Sequence, residues 1–410
     1  MIQACPQPAL PAWIRFSALR CFAALFVFAL GLFGCGTSGT PDQKLATDLG
    51  YDLYQYLTSR ASAEHISALS LTVSFRGSAS DINVSTGTTQ YAGGAAVTPS
   101  SLFQTGSNTK AFTAVAILQL EQAGLLSIDD TVGKWLPQYP AWSNVTIKQL
   151  LNMTSTIPTY DLTQQWINDY DANPLVESTP EQLVNYVYPS IGTPGKAWIY
   201  SNTGYMLCQM IVDKASPSNS YETDLDNIIA NNNLQNTFYQ PYFYPQSVTS
   251  RLVSGYYVNT DPPVLTNLLG ADTSLYSLGW AQAAGGMVST PQDLTLWVRD
   301  LFGGNVLQPK QLQELESLVS TQTAQPITGT SSSDPTGFGL GVYQVTTSNL
   351  GTFWYYQGST IGYRATYMYF PNNGLILCVF TNSQTSAEQN QISADLFPKL
   401  IATLKADGRD

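Results

Sequence analysis

The stretches of this chain that read as β-strands lie at its two ends, and that placement limits the fold more than any other feature. Near the start, SALSLTVSF and SDINVST alternate apolar and polar residues on either side of an RGSA turn. That texture returns only at GFGLGVYQV, where strands are expected over 337–345, 352–357, 363–370 and 374–381. Pro371, Asn372, Asn373 and Gly374 supply the tight turn between the last two. Such sequence-distant strands fit one antiparallel sheet with helices packed on it. A first helix is expected over 42–60, where Leu45, Leu49, Leu53, Tyr56 and Leu57 keep helical spacing. A last one is expected over 386–404, interrupted at Pro398. Between the ends the pattern is helical over 106–124, with Phe112, Val115, Ala116, Leu118 and Leu120 inward and Gly124 at the C-cap. Further helices are expected at 145–152, 180–188, 203–215 and 291–302, the last opened by STPQD. The expected class is α+β, a three-layer α/β/α sandwich. Its sheet part is about 42–105 and 337–410, and a mostly helical part, about 106–336, is inserted between.

A chain of 410 residues that is 44% apolar can bury one large core or two modest ones. Only 11% of residues are charged and the formal net charge is −11, which leaves no basic excess for nucleic acid. Arg15 and Arg20 precede CFAALFVFALGLFG, too short for a comfortable permanent span and suited to a signal segment. LFGC, Leu32 to Cys35, then resembles a bacterial lipobox, followed by the flexible GTSGTPD. The expectation is a signal over 1–35 with lipid on Cys35, a tether over 36–41, and an exported cell-envelope protein held to the membrane by lipid alone. A plain signal peptide with an incidental cysteine, or an uncleaved anchor, is the alternative. Cys208 and Cys378 sit in the apolar runs YMLCQMIV and LILCVF and read as buried small hydrophobes, with a disulfide left open. One histidine and two scattered cysteines make no ligand cluster, so neither metal nor cofactor is expected.

The chemistry starts at FQTGSNTKAF. Ser107 and Lys110 stand one helical turn apart, so the lysine can reach the serine oxygen, and a helix N-terminus favours an alkoxide there. A serine nucleophile needs a base. The single histidine, His65, lies far upstream and reads as structural or solvated. PGKAWIYSNTGY supplies a candidate in Tyr200, because a neighbouring ammonium favours phenolate, and Asn202 can orient both Lys110 and a substrate amide. The ordinary alternatives are an N-capping serine with a solvated lysine, and a packing aromatic with an N-cap asparagine.

Taken in order, LFQTGSNTKAFTAVAILQLEQAGLLSIDDTVGKWLP, TIKQLLNMTSTIPTY, YSNTGY, AAGGMVSTPQDL and GFGLGVY resemble the serine β-lactamase and penicillin-binding-protein superfamily. The resemblance is to its Tyr-x-Asn branch of class C β-lactamases, D,D-carboxypeptidases and related esterases. It implies that Ser107 is acylated, that Lys110 and Tyr200 share the base work, and that Asn202 positions them. The family's third motif, Lys or His followed by any residue and Gly, aligns with Tyr356-Gln357-Gly358. The resemblance makes these three substrate-binding and pairs the Ser107 and Ser359 N–H groups as an oxyanion hole. With tyrosine in place of the cation, carboxylate recognition weakens, since charge-assisted hydrogen bonds are roughly twice as strong as neutral ones. Lys196 or Arg364 would have to supply the missing charge. The expected activity is therefore esterase-like, on small ester, amide or peptide substrates, by a monomer. A D,D-carboxypeptidase, D-peptidase or class C-like β-lactamase is the alternative, and a retired enzyme that binds cell-wall peptides is the third. The aromatic run Phe238 to Gln246 reads as packing.

Overall fold

Leu45, Leu49, Leu53 and Tyr56 do recur along one face of a helix, α1 (Pro41–Glu64), and all four are buried. They belong to the computed structural model of the protein, which describes residues 40–78, 80–387 and 392–409. The expected signal, Cys35 and most of the tether lie outside the described residues.

Beneath α1 runs β1 (Ala68–Ser74), whose alternation divides two cores. Leu69, Leu71 and Val73 pack towards α1, while Ala68 joins the opposite core. Nine more strands complete the sheet. They are β2 (Ile82–Gln90), β3 (Gly93–Ala96), β4 (Leu318–Ser320), β5 (Pro326–Ile327), β6 (Thr336–Phe338), β7 (Tyr343–Thr347), β8 (Gly351–Thr360), β9 (Tyr363–Phe370) and β10 (Leu375–Thr381). Their order is β3-β2-β1-β10-β9-β8-β7-β6-β4-β5. Leu69 pairs with Thr381 in an antiparallel register, so the two ends of the described chain meet inside the sheet. In β10, Leu375, Leu377 and Val379 face α1, and Ile376, Cys378 and Phe380 face the other way.

The first core is closed by α1 together with the C-terminal helix. The other is filled by α2 (Thr109–Gln122), α3 (Asn202–Ala215), the single turn α4 (Gln282–Gly285) and α5 (Pro291–Phe302). Thr290 caps α5 by accepting the Asp293 N–H, and Trp297 of α5 stacks on Phe112 of α2 at 3.8 Å. Arg299 of α5 donates to Ser74 Oγ at 2.5 Å and so ties this layer to β1. The C-terminal helix is α6 (Phe397–Ala406). Helix, sheet and helix are therefore layered as the strand placement requires.

Three expectations change. The strand expected over 337–345 is two, β6 and β7. Gly341 takes φ +80° in the turn between them, and a Cβ there would come within 2.8 Å of the Lys110 carbonyl oxygen. Pro398 does not end the helical run: a π-helical turn, Ile392–Leu396, passes directly into α6, and the proline sits in the first turn of α6. β8 runs three residues beyond the expected 357 and takes in Gly358 and Ser359. Cys208 and Cys378 are both free and fully buried, and burial pushes both thiols up. Within the aromatic run, Tyr239 packs edge-on to Tyr221 and the Tyr244 hydroxyl donates to the Gly286 carbonyl at 2.6 Å.

Candidate active site

Ser107 is delivered by a two-residue strand, Phe103–Gln104, that pairs with Met287–Ser289 and leads through Thr105 to Gly106. Gly106 turns the chain with φ +54°, and a Cβ on it would strike Ser359 N at 2.5 Å. From the other side, a Cβ on Gly358 would stand 2.0 Å from the Thr105 carbonyl oxygen and 2.8 Å from Ser107 N. Two bare backbones thus press together where the nucleophile turn crosses β8, which is only possible with glycine on both. Asn108 locks the crossing by donating to the carbonyls of Thr105 and Ala365, each at 2.9 Å. A 3-10 turn over Gly106–Asn108 then passes into α2 with no side-chain cap.

One turn into this helix, Lys110 is completely buried. Its Nζ lies 3.0 Å from Ser107 Oγ, 2.7 Å from Asn202 Oδ1 and 2.7 Å from the Ala284 carbonyl oxygen of α4. The capping serine with a solvated lysine is not what this sequence builds. Burial lowers the ammonium to about 7, opposed by the negative charge of Asp161. An ammonium has three protons and an amine has two. Asn202 Oδ1 and Ala284 O are pure acceptors and claim two of them. Once the third proton is lost, the amine lone pair is directed at Ser107 Oγ.

Tyr200 precedes α3, whose N-cap is Ser201, accepting from Gly204 N, rather than Asn202. The Tyr200 hydroxyl donates to Ser107 Oγ at 2.6 Å. The expectation that a neighbouring ammonium would acidify this phenol is reversed. Burial pushes Tyr200 up to about 12, and the lysine beside it is the group driven towards neutrality. Lys110 Nζ sits over the Tyr200 ring, 4.9 Å from its centroid, within cation–π reach. Asn202 Nδ2 donates to Asp161 Oδ2 at 2.8 Å, which fixes the amide with its oxygen towards Lys110.

Ser107, Tyr200, Asn202, Tyr356, Gln357 and Ser359 all border one cavity of about 280 Å³. Tyr356 shares the parity of Gly358 on β8 and so faces the helical layer. Burial holds its phenol protonated, and its hydroxyl lies 3.4 Å from that of Tyr200. Neither substitute cation is there. Arg364 is one position out of phase with Ala365, faces α1 and pairs with Glu64 at 2.9 Å while donating to the Ser383 carbonyl. Lys196 is exposed and does not line the cavity. His65 stacks on Tyr91 at 4.7 Å, away from the cavity wall.

Sequence reasoning missed two members. Asp161 follows directly on the TIKQLLNMTSTIPTY match, and a carboxylate one residue beyond a matched segment was the available signal. The Ala284 carbonyl lies inside the matched AAGG, but a backbone oxygen carries no side-chain signature.

Penicillin-binding protein 4* of Bacillus subtilis (strain 168) is 39% identical over 119 residues, 28% of this chain; the match covers 26% of that protein, about a quarter of its length. Among solved structures, a D-stereospecific amidohydrolase from Streptomyces sp. superposes with a TM-score of 0.68 at 25% identity, over 86% of this chain and 97% of that one. The D-amino acid amidase from Ochrobactrum anthropi SV3, complexed with D-phenylalanine, gives 0.72 at 20% identity, over 88% and 99%. A family model described as Beta-lactamase matches residues 60–396, from the end of α1 almost to α6 and across every residue of the cavity. The chain belongs to this beta-lactamase family of serine hydrolases.

Proposed function

We propose that the protein hydrolyses esters and amides through an acyl-enzyme on Ser107. The observation that carries this reading is the set of three contacts around Lys110 Nζ, two of them to pure acceptors and the third to Ser107 Oγ. Oγ attacks the acyl carbon as its proton passes to the Lys110 amine. The N–H groups of Ser107 and Ser359, two residues that line the cavity, hold the developing oxyanion. As the acyl–heteroatom bond breaks, the Tyr200 hydroxyl hands its proton to the departing oxygen or nitrogen, and the Lys110 ammonium restores it. Water then repeats the sequence on the acyl ester and frees Ser107. Asn202 orients Lys110 throughout.

Tyr356 supports donors without a carboxylate beside the reacting bond. A protonated phenol offers that carboxylate one neutral hydrogen bond where the family pattern offers a cation. Amides are included because a similar structure at 25% identity is a D-stereospecific amidohydrolase. The protein is proposed to act outside the cytoplasm, lipid-anchored through Cys35, as a monomer.

Intact-mass spectrometry after incubation with a fluorophosphonate, and separately with a penicillin, tests the reading. The expected result is one adduct on Ser107 from the fluorophosphonate, little from the penicillin, and turnover of short p-nitrophenyl esters. A stable penicillin adduct would move the substrate towards the cell wall. No adduct from either reagent would leave a binding protein.

A further inference from the structure

Asp161 is the one formally charged side chain among the described residues on the cavity wall, and no lysine or arginine lines it. Its carboxylate is already committed in part. Oδ1 accepts from Thr159 Oγ1 and Oδ2 from Asn202 Nδ2. A carboxylate has about four acceptor positions, so two remain for other donors. The rest of the wall is formally neutral and includes four aromatic rings, those of Trp280, Tyr343, Tyr356 and Tyr200. Aromatic faces attract cations through their quadrupoles. Lys110 is turned inward behind Ser107 and does not line the cavity. The whole chain, at −11, adds a field of the same sign. A substrate carboxylate entering here meets repulsion, and a substrate ammonium meets a partner.

We propose that this cavity selects acyl donors carrying a free ammonium group close to the reacting carbonyl, the amides or esters of unblocked amino acids, with Asp161 as the residue that holds the ammonium. The proposal rests on the acyl-enzyme reading and names its substrate class. Asp161 lies one hydrogen bond from Asn202, which lies one from Lys110, which lies one from Ser107. Asp161 and Ser107 line the same cavity, so a donor acylated on Ser107 can offer the carboxylate an amine carried on the carbon next to its carbonyl. Acetylating the amine removes the charge and adds bulk at the same place.

The test compares the p-nitroanilides of alanine, both enantiomers, with their N-acetyl counterparts, using the purified full chain at pH 7. The substrate amine, with a pKa of about 7.7–8.0, is then largely charged. The expected preference in kcat/KM for the free amine is roughly tenfold to a hundredfold, the range that a hydrogen bond to a charged group supplies. In Asp161→Asn that preference falls to about threefold or less, because a neutral amide forms only a neutral bond. Equal or faster turnover of the N-acetyl substrates overturns the proposal. So does an Asp161→Asn variant that slows both kinds of substrate alike, which would make Asp161 a positioning residue acting through Asn202. Fluorophosphonate labelling of the same preparation separates the two levels. A labelled enzyme without the preference loses this inference and keeps the acyl-enzyme reading, whereas a preparation that neither labels nor turns over loses both.

Discussion

At the scale of single residues, the site turns on which of two neighbours gives up its proton. Lys110 and Tyr200 are both buried against Ser107, and burial acts oppositely on a cation and on a phenol, lowering one to about 7 and raising the other to about 12. The amine is the form that accepts a proton, so the rate of fluorophosphonate labelling should rise with pH through about 7 and level off above it. A limb near the ordinary lysine value would show that Lys110 is not the base. Lys110→Met should slow labelling by roughly 10²–10⁴, the usual contribution of a positioned base. Tyr356→His should raise the ratio of β-lactam acylation to ester hydrolysis, and an unchanged ratio would remove the case for a missing cation. Ser107, Lys110, Tyr200 and Asn202, which the structure brings together, were legible in the sequence because each stands in a short motif with a polar side chain of its own. The protonation order was not legible, because it depends on burial, which no motif spells out. Ala284 contributes a carbonyl that every residue has.

Among elements, those with chemical punctuation were read best. Thr290 and Pro291 mark the start of α5, and Thr290 accepts from Asp293 N as the sequence suggested. Thr290→Ala should cost about 1 kcal/mol in denaturant unfolding, the usual value of a lost cap, with activity per folded molecule retained. The short strands β3, β4 and β5 went unread because two to four residues make no period, and sheet edges need little apolar character. The crossing of the nucleophile turn with β8, Gly358 against Thr105 and Ser107, joins elements some 250 residues apart, and the Asn108 to Ala365 bond extends it to β9 with a separation of 257. Gly358→Ala should abolish labelling of Ser107 and destabilise the fold by at least roughly 1–3 kcal/mol, because the new methyl overlaps backbone on the facing turn. A fully active, unperturbed variant would mean that the two backbones stand further apart.

For the whole molecule, the sheet separates two kinds of buried charge. On the catalytic side stands Lys110, and on the other Arg364 pairs with Glu64, both fully buried. The one-residue offset between Arg364 and Ala365 decides which side each faces, and sequence alone gave no register to settle that. Glu64→Gln removes the carboxylate that Arg364 pairs with and should cost about 3–5 kcal/mol in urea or thermal unfolding. At temperatures where the variant stays folded, kcat for ester hydrolysis should not move. The layered α/β/α order was legible because strands at both ends leave few ways to build a sheet. That same order governs when the protein can form. Ser67 N donates to Asn382 Oδ1 across 315 positions, and β1 has no inner neighbour until β10 exists. Pairing so remote is slow, since loop closure must be met before the contact rewards it. On a ribosome, where domains ordinarily fold in order of emergence, β1 and β2 must wait as a hairpin with one open edge while nearly the whole chain is made. A ribosome stalled before residue 375 would therefore present a sheet with β10 still missing between β1 and β9, and a protease would cut that nascent chain where it spares the finished one.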